Sequence, residues 1–213
     1  LIGNKIYLPK LKGIRIKKHR DIPENYKIKS VTVSKTPTNK YYVSILCEYE
    51  ADVLENVGTN YLGLDYAMNG LYVASDNSRG DYPRFYRQLE KKLHREQRKL
   101  SKMMKGSNNY RKQKYKVAKV HEKIANSRKD YLHKTSHQIA NEVDGVCVED
   151  LNMQAMSKSM HFGKSVHDNG YGMFLTLLSY KLENKGKKLI RVDKFYPSSK
   201  TCSCCGYIKR NSN

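Results

Sequence analysis

Residues 61–76 read YLGLDYAMNGLYVASD, two short apolar runs with a Met-Asn-Gly turn between them. Leu62 and Leu64 share one face of a period-two strand, so Asp65 projects from the opposite face. Asn69-Gly70 accepts positive φ and the apolar pattern then resumes, which predicts a β-hairpin. An acid at a strand end is common on any protein surface, so Asp65 alone identifies no function.

The charge of the chain points to a polyanionic partner. The 213 residues are enough for one large domain or two small ones, and 41 Lys+Arg against 20 Asp+Glu give a net charge of +21. Residues 84–134 hold 18 of these basic residues and four acids, with apolar residues at helical spacing on both sides of a break at 105–109. This pattern predicts a basic helical pair that contacts phosphates.

A second acid follows a similar strand pattern in residues 145–150, GVCVED. Val146 and Val148 share one face, so Glu149 lies on the other. If this strand lies beside that of Asp65, the two carboxylates converge although 84 positions separate them. Two strand-end acids in a basic protein suggest a divalent-metal site for phosphodiester chemistry.

The first 57 residues are β-rich, with short runs of Ile, Val, Thr and Tyr punctuated by Pro and Gly. This spacing predicts a small barrel or an open antiparallel sheet. Its outward positions are basic, so a phosphate-facing surface and a merely solvated face are both possible. No apolar run is long enough to span a membrane and no secretory signal opens the chain, so a soluble intracellular protein is expected.

The five cysteines fall into two groups. Cys47 and Cys147 lie in apolar strand-like runs, which is typical of small buried hydrophobic residues. Cys202, Cys204 and Cys205 cluster immediately before Gly206. That clustering indicates that these three cysteines have a specific role and do not merely pack in a core.

Several of these segments together resemble the TnpB family, the OrfB-type proteins of insertion sequences, which are similar to compact type V CRISPR effectors. The matching segments occur in the family's order from about residue 58 to the C-terminus: 63–65, 121–134, 146–152, 170–174 and 192–206. Residues 1–57 match less specifically and resemble the OB-like wedge domain that precedes the nuclease.

The resemblance implies a chain of mixed α+β and α/β class with three parts. Residues 1–57 would form the β-rich, OB-like wedge. Residues 58–193 would form a RuvC domain of RNase H-like fold, with the helical pair at 84–141 as an insertion. Residues 194–213 would be the first half of a zinc ribbon.

The resemblance also implies an RNA-guided, Mg²⁺-dependent DNA endonuclease. Asp65 and Glu149 match the family's first two catalytic acids, both Mg²⁺ ligands, while Cys202 and Cys205 match half of a Zn²⁺ site. Guide RNA and target DNA would be the partners, with no membrane association and a cytoplasmic, nucleoid-associated location in a prokaryote.

Departures from the family pattern leave an alternative open. In the family, the third catalytic acid follows a second CxxC pair, and this sequence ends at Asn213 before either. The chain is therefore expected to be a piece of a longer protein, with weak or absent zinc. The alternative is a nucleic-acid-binding fragment or nuclease-inactive module. Asp193 is interpreted as a strand-end carboxylate, and a DDE transposase is a poorer third reading.

Overall fold

The computed structural model describes residues 2–9, 11–153, 170–193, 196, 200–202 and 204–209. The chain divides into two compact units, Leu1–Asp52 and Val53–Asn213. Each unit is considered by itself, and the candidate site lies in the second.

The first unit consists of two antiparallel hairpins. Strand β1 (Lys5–Leu8) pairs with β2 (Leu11–Arg15), and β3 (Lys27–Lys35) pairs with β4 (Tyr41–Glu48). Within the described ranges these are two separate two-stranded sheets, so the predicted barrel is not confirmed. Each hairpin satisfies its hydrogen bonds locally, and much of the β3–β4 surface stays exposed.

The second unit is built on a five-stranded sheet. Its strands are β5 (Tyr61–Tyr66), β6 (Tyr72–Ala74), β7 (Arg79–Gly80), β8 (Gly145–Glu149) and β9 (Lys188–Val192), in the spatial order β7-β6-β5-β8-β9. The first three form an antiparallel meander, which confirms the hairpin expected at 61–76. Strands β5, β8 and β9 run parallel, so their carboxyl ends meet at one edge.

Within the ranges that the structure describes, three helices connect and cover these strands: α1 (Phe85–Ser101), α2 (Asn108–Glu142) and α3 (Tyr171–Glu183). The first two confirm the predicted helical pair. Helix α2 begins after Ser107, whose Oγ accepts a hydrogen bond from the Tyr110 N–H at 3.1 Å. In the described part of the chain, no helix has the length and apolar character needed to cross a bilayer.

The main core lies on one face of the sheet. Leu64, Val146 and Val148 are buried there against residues of α2 and α3, among them Leu132 and Phe174. A second, smaller cluster between α1 and α2 contains Leu93, Val117, Val120 and Ile124. The helical pair therefore has an apolar seam of its own in addition to the contact of α2 with the sheet core.

Residues 53–60 belong to the second unit, although the sequence suggested a boundary at residue 57. Asp144 holds this segment by accepting hydrogen bonds from Asn56 Nδ2 and from the Asn60 N–H, both at 3.0 Å. The Asn56 N–H also donates to the Gly186 carbonyl oxygen at 2.9 Å. These long-range contacts could not be read from composition.

Candidate active site

The pairing of β5 with β8 places the two predicted acids side by side. Leu64 is opposite Val148 in the parallel register, and both side chains are buried on the core face. Asp65 and Glu149 are the next residues along the two strands, so they share the opposite face at the carboxyl edge. Asp65 is exposed and Glu149 is half-buried.

The two carboxylates have few partners within the chain. Asp65 Oδ1 accepts a hydrogen bond from the Tyr66 N–H at 2.8 Å. No hydrogen bond or ion pair joins the Glu149 carboxylate to another residue of the described ranges. Adjacent oxygen donors that are not already neutralised by a salt bridge are chemically suited to a hard divalent cation.

A buried tyrosine that the sequence analysis did not single out lies at this edge. Tyr171, at the start of α3, is 1% exposed, and its ring packs edge-to-face on that of Tyr66 with 5.2 Å between centroids. Burial raises the pKa of the Tyr171 hydroxyl, and the negative charges of Asp65 and Glu149 raise it further. The hydroxyl therefore stays protonated. The Gly-Tyr-Gly motif at residues 170–172 was the sequence feature from which Tyr171 could have been singled out.

An arginine on the neighbouring strand was also missed. Arg191 lies opposite Val148 in the register of β8 with β9, and its Nη1 is 3.3 Å from Asp150 Oδ1. The positive charge of Arg191 lowers the pKa of Tyr171, which opposes the effect of the two acids. Arg191 is embedded in the strand sequence LIRV, where one exposed residue carries no distinctive pattern.

Asp193 follows β9 at the same edge. Val192 is opposite Glu149, and alternation along the strand therefore does not place Asp193 on the Glu149 face. Its carbonyl oxygen accepts a hydrogen bond from the Tyr196 N–H at 2.9 Å. This placement agrees with the interpretation of Asp193 as a strand-end carboxylate.

The cysteine cluster lies apart in sequence and forms a tight turn. The Cys202 N–H donates to the Tyr207 carbonyl oxygen at 2.8 Å, and the Gly206 N–H donates to the Cys202 carbonyl oxygen at 2.9 Å. Gly206 has φ +71°, a value that favours glycine. The backbone N–H groups of Cys205 and Cys204 lower the pKa of the Cys202 thiol, and Cys202 and Cys205 are both exposed.

Such a turn fits two ligands of a zinc site, because thiolate is the form that binds zinc. A closed structural site needs four ligands. Across the described ranges, no group of three or more His, Cys, Asp or Glu side chains is arranged to hold a metal ion. In the described ranges, the cysteine pair and the carboxylate pair therefore each supply two potential metal ligands.

Comparison with known families assigns the chain. The family model OrfB_IS605, described as "Probable transposase", matches residues 44–160, more than half of the sequence and the part that contains both acids. The chain belongs to the OrfB_IS605 family. A second model, "Cas12f1-like, TNB domain", matches residues 171–213, which include α3 and the cysteine cluster. The resemblance to TnpB is thereby confirmed.

Individual OrfB_IS605 relatives have been given nuclease names. A protein of Streptomyces pristinaespiralis named "Putative RNA-guided DNA endonuclease" is 32% identical over 89% of this chain and 47% of its own length. The Escherichia coli K12 protein named "Putative RNA-guided DNA endonuclease InsQ" is 31% identical over 99% of this chain and 55% of its own length. The chain thus spans about half the length of these relatives.

A solved structure supports the fold assignment. A chain of the "Cas12f1-sgRNA-target DNA complex" superposes with a TM-score of 0.54 at 20% identity, covering 86% of this chain and 39% of that one. At this identity the likeness concerns the fold alone. It agrees with the mixed α/β content of the present chain.

Proposed function

We propose that this chain carries the catalytic sheet of an RNA-guided DNA endonuclease, with a RuvC-like site on an RNase H-like fold. The observation that supports it best is the Leu64–Val148 register, which brings Asp65 beside Glu149. The strand order, with an antiparallel meander next to two parallel strands, is the arrangement expected of that fold. The names of the relatives and the net charge of +21 add independent support.

Asp65 and Glu149 would hold Mg²⁺ at the carboxyl edge of β5 and β8. An ion bound there would supply Lewis-acid chemistry for phosphodiester hydrolysis. The protein itself supplies two carboxylates from neighbouring strands of one sheet. The Tyr171 hydroxyl lies close enough to both acids for their charges to raise its pKa, and because it stays protonated it adds no further negative charge beside them.

Cys202 and Cys205 would supply two of the four ligands of a structural zinc ion. The backbone amides that face Cys202 favour its thiolate form, which is the form that binds the metal. Guide RNA and target DNA would be the partners. The basic helical pair, with 18 Lys and Arg against four acids in residues 84–134, is the region that we expect to contact their phosphates.

Cleavage and metal dependence can be tested together. We would incubate the chain, with RNA from its own locus, with single-stranded and R-loop DNA in the presence and absence of Mg²⁺. Asp65→Asn and Glu149→Gln keep side-chain size and remove one charge each, and Glu183→Gln on the exposed end of α3 is the matched control. Mg²⁺-dependent cleavage that only the first two substitutions abolish would support the proposal.

The alternative is a nucleic-acid-binding module that does not cleave. It is favoured by the fact that only two carboxylates, rather than three, come together at the candidate site in the described ranges. Tight, salt-sensitive binding of RNA and DNA with no cleavage by any version of the chain would establish this alternative for the chain as it stands.

A further inference from the structure

The α1–α2 hairpin forms an arm that extends beyond the sheet. On α2, Leu132 is buried in the main core, whereas Val117 and Ile124 belong to the smaller cluster with α1. The helix from Asn108 to Leu132 is about 36 Å long at 1.5 Å per residue. The turn that joins the two helices, residues 102–107, therefore lies well away from the sheet core. We call this turn the tip.

The tip carries an exposed methionine among basic residues. The Met104 side chain is 78% exposed, and it is flanked by Lys102 and Lys105, which are also exposed. Single exposed apolar side chains are common on protein surfaces and need no explanation by themselves. The surroundings of this one are distinctive, because residues 98–114 contain seven Lys and Arg and no Asp or Glu. The arm thus has an apolar end with basic flanks.

The tip is a hydrogen-bonded turn. The Met103 N–H donates to the Leu100 carbonyl oxygen at 3.1 Å, and the Ser107 N–H donates to the Met104 carbonyl oxygen at 3.3 Å. Gly106 has φ +86°, a left-handed value that favours glycine and allows the chain to reverse between the helices. The backbone of Met104 is therefore held by its neighbours.

A buried polar pair fixes the two helices against each other below the tip. Gln113 Nε2 donates to Glu96 Oε2 at 2.8 Å and to the Glu96 carbonyl oxygen at 3.0 Å, and both residues are buried. A polar pair in an apolar seam favours one register, because any other register would leave the buried groups unpaired. Glu96 is also the acid closest to the tip in the sequence, and Gln113 engages it away from the tip lysines.

The dimensions of the arm limit what its tip can reach on nucleic acid. A packed pair of helices is about 20 Å wide, whereas the grooves of B-DNA are about 12 and 6 Å wide. An arm that approaches end-on therefore cannot enter a groove, and its tip reaches bases only where a base pair is exposed. A fork, where paired strands separate, is such a place. Its last base pair presents a flat apolar face between two phosphate backbones.

We propose that the tip binds a fork in the target DNA, with Met104 packed on the last base pair and Lys102 and Lys105 beside the phosphates. The inference rests on the proposed function, in which the target duplex has to open before a guide RNA can pair with it. DNA is preferred to RNA because that opening creates the fork in the DNA. Met is among the side chains that proteins insert at DNA base steps, and burial of its apolar surface offsets part of the cost of unstacking.

The test uses single substitutions at exposed positions of the full chain. Met104→Leu keeps an apolar side chain at the tip, and Met104→Gln replaces it with a polar one of similar length. Met173→Gln is the matched control, because Met173 is 46% exposed and lies on α3, outside the arm. Lys105→Gln removes a charge and leaves the methionine. Circular dichroism would verify that each variant keeps its helices.

The probe is a forked DNA with 2-aminopurine as the first unpaired base, whose fluorescence rises when it no longer stacks on the last base pair. We expect a rise with the unmodified chain, Met104→Leu and Met173→Gln. Met104→Gln should give no rise and should bind the fork about tenfold more weakly, with an unchanged salt dependence. Lys105→Gln should keep the rise at saturation and reduce the slope of log K against log salt by about 0.9.

Other outcomes would overturn the inference. They are an equal rise with Met104→Gln, loss of the rise in Met104→Leu or Met173→Gln, or no rise with the unmodified chain. An equal or larger response to an RNA fork of the same sequence would overturn the assignment to DNA. The assay contains no metal and no guide RNA, so Asp65→Asn should behave as the unmodified chain does. A rise without any cleavage would count against the nuclease proposal alone, and cleavage without a rise would count against the fork alone.

Discussion

Leu64 and Val148 lie opposite each other in neighbouring parallel strands, and this one pairing determines where both candidate acids lie. The residues that follow them, Asp65 and Glu149, emerge together on the face away from the core. A shift of the register by one residue would expose two fully apolar side chains and separate the carboxylates. Burial of the core thus also fixes the geometry of the site.

Removal of either acid should abolish stabilisation by Mg²⁺. A ligand that binds only the folded chain at ten times its Kd raises the free energy of unfolding by about 1.4 kcal/mol. We expect the melting temperature of the unmodified chain to rise with Mg²⁺ and that of Asp65→Asn and Glu149→Gln to stay constant. Without Mg²⁺ both variants should be at least as stable as the parent, because repulsion between the two carboxylates is relieved.

The Mg²⁺ experiment uses differential scanning fluorimetry with Glu183→Gln as its control, since that residue is exposed and distant in sequence from the acids. An equal rise in all four proteins would show that the ion acts elsewhere.

Asp144 should make stability depend on acid pH. Hydrogen bonds from the Asn60 N–H and from the Asn56 side chain hold the pKa of Asp144 below its usual value. Because the pKa of Asp144 is lower in the folded state, its ionised form stabilises the fold. This stabilisation is fully present above the unfolded-state pKa, about 3.9, and is lost as pH falls through the folded-state pKa. Thermal unfolding at pH 6, 4 and 3 should therefore show Asp144→Asn less stable at pH 6, with the difference shrinking on acidification.

Asp52→Asn is a suitable comparison, because Asp52 is exposed and makes no hydrogen bond to another described residue. We expect that change to alter the melting temperature little at any of the three pH values. A difference for Asp144→Asn that grew toward pH 3 would contradict the proposed role of its hydrogen bonds.

Lys187 should stabilise the C-terminal end of α2. Its Nζ donates to the carbonyl oxygens of Ala140 and Val143, at 3.0 and 2.5 Å, where a helix has unpaired carbonyls and a partial negative charge. Lys187→Met keeps the apolar stem and removes the donor, so urea unfolding should show a loss of about 1–3 kcal/mol. Lys185→Met, at an exposed neighbouring position, should cost much less.

Two glycines should respond oppositely to alanine. Gly186 has φ +68°, and a Cβ there would lie 2.0 Å from the Leu54 carbonyl oxygen. Gly186→Ala should therefore cost about 1–2 kcal/mol for the left-handed backbone alone, with a further cost for displacing residues 53–60. At Gly172 in α3 a Cβ would meet no atom within 4 Å, so Gly172→Ala should be neutral or stabilise by up to about 1 kcal/mol. Urea unfolding of both variants measures the contrast.

Local patterns were sufficient to predict most elements of the second unit. The Asn69-Gly70 turn, the break at residues 105–109 and the alternation around Val146 and Val148 each act within a few residues, and the structure has the corresponding hairpin, helical pair and strand. The same patterns did not yield the arrangement of the first unit. Strand propensity does not specify which strands pair, and in the described residues the strands form two antiparallel hairpins, so of the predicted barrel or open antiparallel sheet the barrel is not confirmed.

The sequence by itself determined the elements, the basic character and the identity of the two acids, because these depend on local spacing and composition. Tertiary structure alone decided that β5 lies beside β8, that Tyr171 lies near both acids, and that Asp144 binds residues 56 and 60. Each of these relationships joins residues that are far apart in the chain. Only burial of a shared core, which no local pattern encodes, brings them to one place.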